Sequence, residues 1–184
     1  LIYIKPFLAY AGLKVSDVDL VYAKAAGDRF AALAAGAVDA AILNPPTYFE
    51  AIAAGLTNLG DTKLYAEGIP FTVWGANMTW GAAHRDALVT FARDYQRGVA
   101  WLYDPAHKQQ AIDILVKRAH QKPEDSEKAY DYLVAKLKLF GRNGDVPDAV
   151  YAKMAEGLAE IGTIKAPFPP KAAIFDGSFV QAVH

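Results

Sequence analysis

Residues 27–55, GDRFAALAAGAVDAAILNPPTYFEAIAAG, change their repeat twice without a break, and few folds accommodate that. RFAALAAG has helical spacing, with Asp28 as its cap and Gly36 as its stop. DAAIL, 39–43, is apolar on both faces, the pattern of a strand covered on both sides in a parallel sheet with crossover helices. Pro45 and Pro46 end that strand and preset the first turn of TYFEAIAAG, which stops at Gly55. Upstream, DVDLVYA (17–23) alternates like a strand, and downstream LTNLGD gives another short strand and turn. The order β-α-β-α-β predicts a small doubly wound α/β unit.

The rest of the chain is organised differently. FLAYAGL near the start is helix-like, with Gly12 as its stop. GIPFTVWGANMTWGA (68–82) is β-prone and carries Trp74, Trp80 and three glycines. After it the pattern is helical. RDALVTFARDYQRGVAWLYD is amphipathic through Leu88, Phe91, Tyr95 and Trp101, and the next helix begins with Asp104 as cap and Pro105 at its first position. Two more helical runs follow, separated by GRNGD, before a proline-rich tail.

Composition narrows the function classes. With 184 residues, 53% hydrophobic and 21% charged, the chain has the make-up of a globular protein large enough for one good core or two small lobes. A formal charge of -1 argues against nucleic acid or an anionic membrane surface as the main partner, because phosphate neutralisation needs a basic excess. The absence of cysteine removes disulfides, thiolate catalysis and cysteine metal sites. No apolar run reaches the roughly 20 residues of a membrane-spanning helix. The chain opens at Leu1 with neither an initiator methionine nor a signal segment, as expected of a piece of something longer.

Catalytic constellations are poorly represented. Ser16, Ser126 and Ser178 stand in no G-x-S-x-G setting, and His84, His107, His120 and His184 have no metal-ligand spacing. No phosphate-binding glycine loop occurs. The loop Asn44-Pro45-Pro46-Thr47-Tyr48 is the best candidate site, since ligands of open α/β sheets bind beyond the carboxyl ends of the strands. Asn44 offers a donor and an acceptor, Thr47 a hydroxyl and Tyr48 a flat face with a polar tip, while the amides opening the next helix suit an anion. Trp74 is a second candidate, because aromatic side chains often wall ligand pockets. The aromatic side chains of the helices, Phe91, Tyr95, Trp101, Tyr130 and Tyr132, read as core packing.

On these residues the chain resembles the periplasmic substrate-binding proteins of ABC importers for nitrate, sulfonate, taurine and the thiamine pyrimidine precursor, the NMT1/THI5-like group. The likeness lies in Arg29, Ala32, Leu33 and Gly36 on the helix, Val38-Asp39-Ala40, the Pro45-Pro46 loop and Gly55-Leu56. It implies a type 2 periplasmic-binding-protein fold of class α/β, with two lobes joined by a hinge and the N-terminal portion of the first lobe absent. Residues 1–67 would form the second lobe, 68–78 the hinge crossing and 79–184 the helical return to the first lobe. The implied function is capture of a small organic or anionic solute between the lobes, for a membrane permease and ATPase, in the periplasm or on an extracellular lipid anchor. Asn44, Pro45, Thr47, Tyr48, Trp74 and Asn77 are the ligand-binding residues that follow, with no cofactor, metal or catalytic residue. A flat organic ligand stacked on Tyr48 or Trp74 fits at least as well as a small inorganic anion. The alternatives are a pyrimidine-precursor synthase of the same fold, which would need a reactive histidine such as His84, and the effector-sensing domain of a transcription regulator.

Overall fold

A computed structural model describes residues 3–61 and 72–183. The chain divides into two compact units, Leu1–Glu67 with Gln109–Lys136, and Gly68–Lys108 with Leu137–His184. Helix accounts for 58% of the structure, and the described residues contain no β-strand. The α/β, periplasmic-binding-protein-like expectation is therefore wrong, and the reason is physical. An apolar run becomes a strand only when a neighbour completes its hydrogen-bond ladder, and periodicity reports burial on two faces without supplying that neighbour. In the stretches around 19–23 and 40–44 the backbone takes no regular form. The Arg29 side chain bridges them instead, donating from Nε to the Ile42 carbonyl at 2.8 Å and from Nη1 to the Ala23 carbonyl at 3.5 Å.

In the first unit, α1 (Ile4–Tyr10), α2 (Ala26–Ala34) and α3 (Thr47–Ala53) come from the N-terminal part. α2 begins where the Asp28 carboxylate accepts the Ala25 amide at 3.3 Å, so Asp28 acts from the third helical position and not as the cap itself. Both α2 and α3 end on a left-handed glycine, Gly36 at φ +67° and Gly55 at φ +84°. Each glycine lets the next amide reach back to the helix, Ala37 to the Ala32 carbonyl and Leu56 to the Ala51 carbonyl. α6 (Lys108–Ala119) and α7 (Pro123–Ala129) return to this unit, and α7 runs on into a π-helix, Tyr130–Lys136. Leu8, Ala51, Ala111, Ile112, Ala129, Tyr130 and Val134 form the buried apolar set.

The second unit holds α4 (Met78–Ala83), α5 (Arg85–Leu102), α8 (Asp148–Glu160) and the short α9 (Ser178–Gln181). The β-prone reading of 68–82 fails from Met78 onward, because the Asn77 Oδ1 accepts the Trp80 amide at 3.0 Å and opens a helix. The first residues of that stretch and of the expected hinge crossing, 68–71, lie outside the described residues. Asp104 and Pro105 behave as expected: the Asp104 Oδ1 accepts the Ala106 amide at 2.9 Å and a 3-10 turn leads into α6. Val99 on α5 and Ala155 on α8 are buried. Arg85 at the start of α5 is tied to α9, donating to the Ser178 hydroxyl at 3.0 Å and stacking over the Phe179 ring at 4.8 Å. Among the described residues no helix is long and apolar enough to cross a membrane.

Candidate functional site

Pro45 and Pro46, joined by a cis peptide bond, turn the chain out of the 40–44 stretch into α3. The Asn44 carbonyl receives both the Thr47 hydroxyl at 2.8 Å and the Tyr48 amide at 3.1 Å. The amides of Phe49 and Glu50 donate to the Pro46 carbonyl at 2.9 and 3.2 Å. Of the amides that the sequence offers to an anion, those of Tyr48, Phe49 and Glu50 are thus bonded within the loop. Asn44 itself is exposed, with its Nδ2 3.4 Å from the Pro45 carbonyl. Thr47 spends its hydroxyl as a donor inside the turn, and Pro45 contributes the turn's shape and that carbonyl.

Tyr48 connects this loop to the interior of the first unit. Its half-buried ring lies 5.3 Å from Phe49 at a 53° tilt and is stacked on Tyr132 at 6.1 Å and 29°. Phe49 presents an edge to Tyr132 at 6.4 Å and 81°. These separations and angles fall in the range that the aromatic quadrupole favours. The Tyr48 hydroxyl accepts from the Asn58 Nδ2 at 3.1 Å, and the Asn58 Oδ1 accepts the Gly60 amide at 2.9 Å. The Tyr132 hydroxyl donates to the Asp61 carboxylate, and the Lys136 ammonium stands 5.4 Å from the centre of the Tyr132 ring. Burial first, then the hydrogen bond to Asp61 and its negative charge, push the Tyr132 hydroxyl far above the ordinary tyrosine value. The raised value and the bond to Asp61 keep the Tyr132 hydroxyl protonated, as a donor.

The backbone under Tyr132 belongs to the π-helical turn, whose wider i→i+5 hydrogen-bond ring is rare and recurs at functional sites. It buries Tyr130 and Val134 and leaves Tyr132 and Lys136 to face the Tyr48 loop.

The other two sequence candidates lie in the second unit. Trp74 is 74% exposed, with ring edges against Phe91 at 5.1 Å and Tyr95 at 6.4 Å. Asn77 caps α4, so its side-chain oxygen already accepts the Trp80 amide. His84 stacks on Trp80 at 4.6 Å and 10°, with its Nδ1 2.9 Å from the Trp80 carbonyl. A carbonyl only accepts, so that contact places the proton on Nδ1. His107 repeats the arrangement on Trp101, at 4.7 Å and 15° with Nδ1 3.1 Å from the Trp101 carbonyl.

The structure therefore gathers Asn44, Pro45, Thr47 and Tyr48 in one unit and places Trp74 and Asn77 in the other. Sequence reasoning missed Asn58, Asp61 and Tyr132 as members of the first group. One signal was present: Tyr130 and Tyr132, two positions apart, cannot share a helix face, so only one of them belongs to the core stripe. Among the described residues no group of three or more histidine, aspartate or glutamate side chains is placed to hold a metal ion. No family model matches the chain, and neither a curated protein nor a solved structure resembles it at a significant level.

Proposed function

We propose that this chain captures a small organic or anionic solute through the Asn44–Tyr48 loop, as the substrate-binding component of an ABC-type importer. Its partners in that role are a membrane permease and an ATPase, and its location is the periplasm or a lipid-anchored position outside the cell. The observation that carries the proposal is local. The turn after Leu43 presents an exposed carboxamide, Asn44, beside an aromatic ring, Tyr48, whose hydroxyl and orientation are fixed by Asn58 and Tyr132. Aromatic faces with a few placed polar groups are the usual make-up of small-molecule sites. The motif resemblance of residues 29–56 to importer binding proteins supplies the transport role.

A planar organic solute suits the loop better than nitrate or sulfate, because the Tyr48, Phe49 and Glu50 amides are occupied within the turn. Thermal unfolding of the intact chain in the presence of taurine, nitrate, benzoate or cytosine tests this. A solute at one hundred times its Kd stabilises by about 2.7 kcal/mol, several degrees in Tm for a chain of this size. The shift is expected for a ring-bearing solute and is expected to vanish in Tyr48→Ala. Conversion of a solute to product by the protein would replace the proposal with the enzyme alternative.

A further inference from the structure

Tyr132 has the contacts of a bound ligand. Its ring is stacked on Tyr48 at 6.1 Å, meets the edge of Phe49 at 6.4 Å and lies under the Lys136 ammonium at 5.4 Å. Its hydroxyl donates to the Asp61 carboxylate. Together these groups make a seat for a planar ring that carries a hydrogen-bond donor on its rim: an aromatic floor, an aromatic side, a cation over the face and a carboxylate at the far end. The side chain that fills the seat is mounted on the π-helical turn Tyr130–Lys136, which lacks the tighter α-helical hydrogen bonding of the preceding Pro123–Ala129 segment.

We propose that Tyr132 is a tethered occupant of a phenol-binding site, and that a free phenolic solute takes its place against Tyr48 and Asp61. The proposal rests on the reading of Tyr48 as a solute-stacking ring and narrows the solute to planar molecules bearing an O–H or N–H donor. A nitrate or sulfonate ion has neither a ring for Tyr48 nor a donor for Asp61. Local competition then sets the affinity, because the protein's own phenol must leave before another enters.

Calorimetric titration of the full chain with p-cresol, the free counterpart of the tyrosine side chain, tests the proposal. Tyr132→Ala empties the seat and is expected to bind p-cresol at least about tenfold more tightly than the wild type, the scale of one hydrogen bond to a charged group. Toluene, which has the ring without the donor, is expected to bind the same variant at least about tenfold more weakly than p-cresol. Adding Asp61→Asn is expected to erase that preference. A folded Tyr132→Ala protein with wild-type p-cresol affinity, or with equal affinity for toluene, overturns the proposal. Should Tyr132→Ala not fold, Tyr132→Phe keeps the ring and gives up the Asp61 bond, so its p-cresol affinity must still exceed that of the wild type; no gain there overturns the proposal equally. The outcomes separate from those of the transport role. A solute that stabilises the wild type and is lost in Tyr48→Ala, with no p-cresol gain in the Tyr132 variants, keeps solute capture and removes the tethered occupant.

Discussion

The Tyr103 hydroxyl donates to the Phe140 carbonyl and accepts from the Phe140 amide, both at 2.8 Å, while the Arg142 guanidinium covers its ring at 4.8 Å. One oxygen atom thus satisfies both polar groups of a backbone residue that lies in no helix. Tyr103→Phe leaves the amide and the carbonyl without that partner, and the loss is expected to cost about 1–3 kcal/mol. A urea titration checks it through a lower midpoint at unchanged slope. Tyr132 gives a second test at this scale. Its folded-state value is raised above the ordinary 10.0, by burial first and by Asp61 next, and burial raises Tyr103 as well. The unfolded chain ionises first, so the stability these hydroxyls contribute is complete below pH 10 and is lost as pH climbs from there toward the raised values. Unfolding temperatures recorded from pH 8 to 11 are expected to fall more steeply for the wild type than for Tyr132→Phe. Equal slopes would mean that the Asp61 bond does not form in solution.

At the scale of elements, Arg29 does what a neighbouring strand would otherwise do. Its guanidinium binds the carbonyls of Ile42 and Ala23, in two stretches without regular structure of their own. Arg29→Met keeps an unbranched stem and removes the donors, so hydrogen exchange of the amides in 38–44 is expected to accelerate by about tenfold or more, with roughly 1–2 kcal/mol lost in global stability. Unchanged exchange in that segment would show that packing alone holds it. The same elements explain what the sequence made legible. Gly36, Gly55 and the Asp104-Pro105 pair mark helix boundaries through interactions within a few residues, and the expected boundaries match the structure. The segment DAAIL carries the pattern of a covered strand through Ala40 to Leu43, but the ladder it would need involves residues far away in the chain, which periodicity does not report. Asn77, a ligand contact at a crossing by resemblance, stands three residues before Trp80, which is the spacing of a helix cap. The Asn44–Tyr48 loop was legible from its prolines. Tyr132 was not, since its bond to Asp61 joins residues 71 positions apart.

At the scale of the whole molecule, the balance of buried and exposed apolar surface sets behaviour in solution. Among the described residues nine apolar side chains are buried, three of them leucine, isoleucine or tyrosine and the others alanine or valine. Val21 at 69%, Tyr22 at 87% and Met78 at 85% exposure are left in water, and Leu20 joins the first two as a consecutive apolar run. Burying one such side chain against a partner is worth about 1.5–3 kcal/mol. Electrostatic repulsion does little to oppose that contact, because the formal net charge is -1 and the sequence pI is near 6.5. The chain is therefore expected to bind an apolar dye such as ANS in its native state and to sediment as concentration-dependent oligomers near pH 6.5. Replacing Val21 and Tyr22 together by lysine adds two charges at the centre of the run and removes its two most exposed apolar side chains. Dye binding and the mean sedimentation coefficient are expected to fall in that variant, while Tm stays within about 0.5 kcal/mol equivalent of the wild type, as for other exposed positions. Raising the pH to 8.5 is expected to act in the same direction by increasing net negative charge. A wild type that stays monomeric at every concentration and ignores the dye would show that the Leu20–Tyr22 run is covered within a single chain.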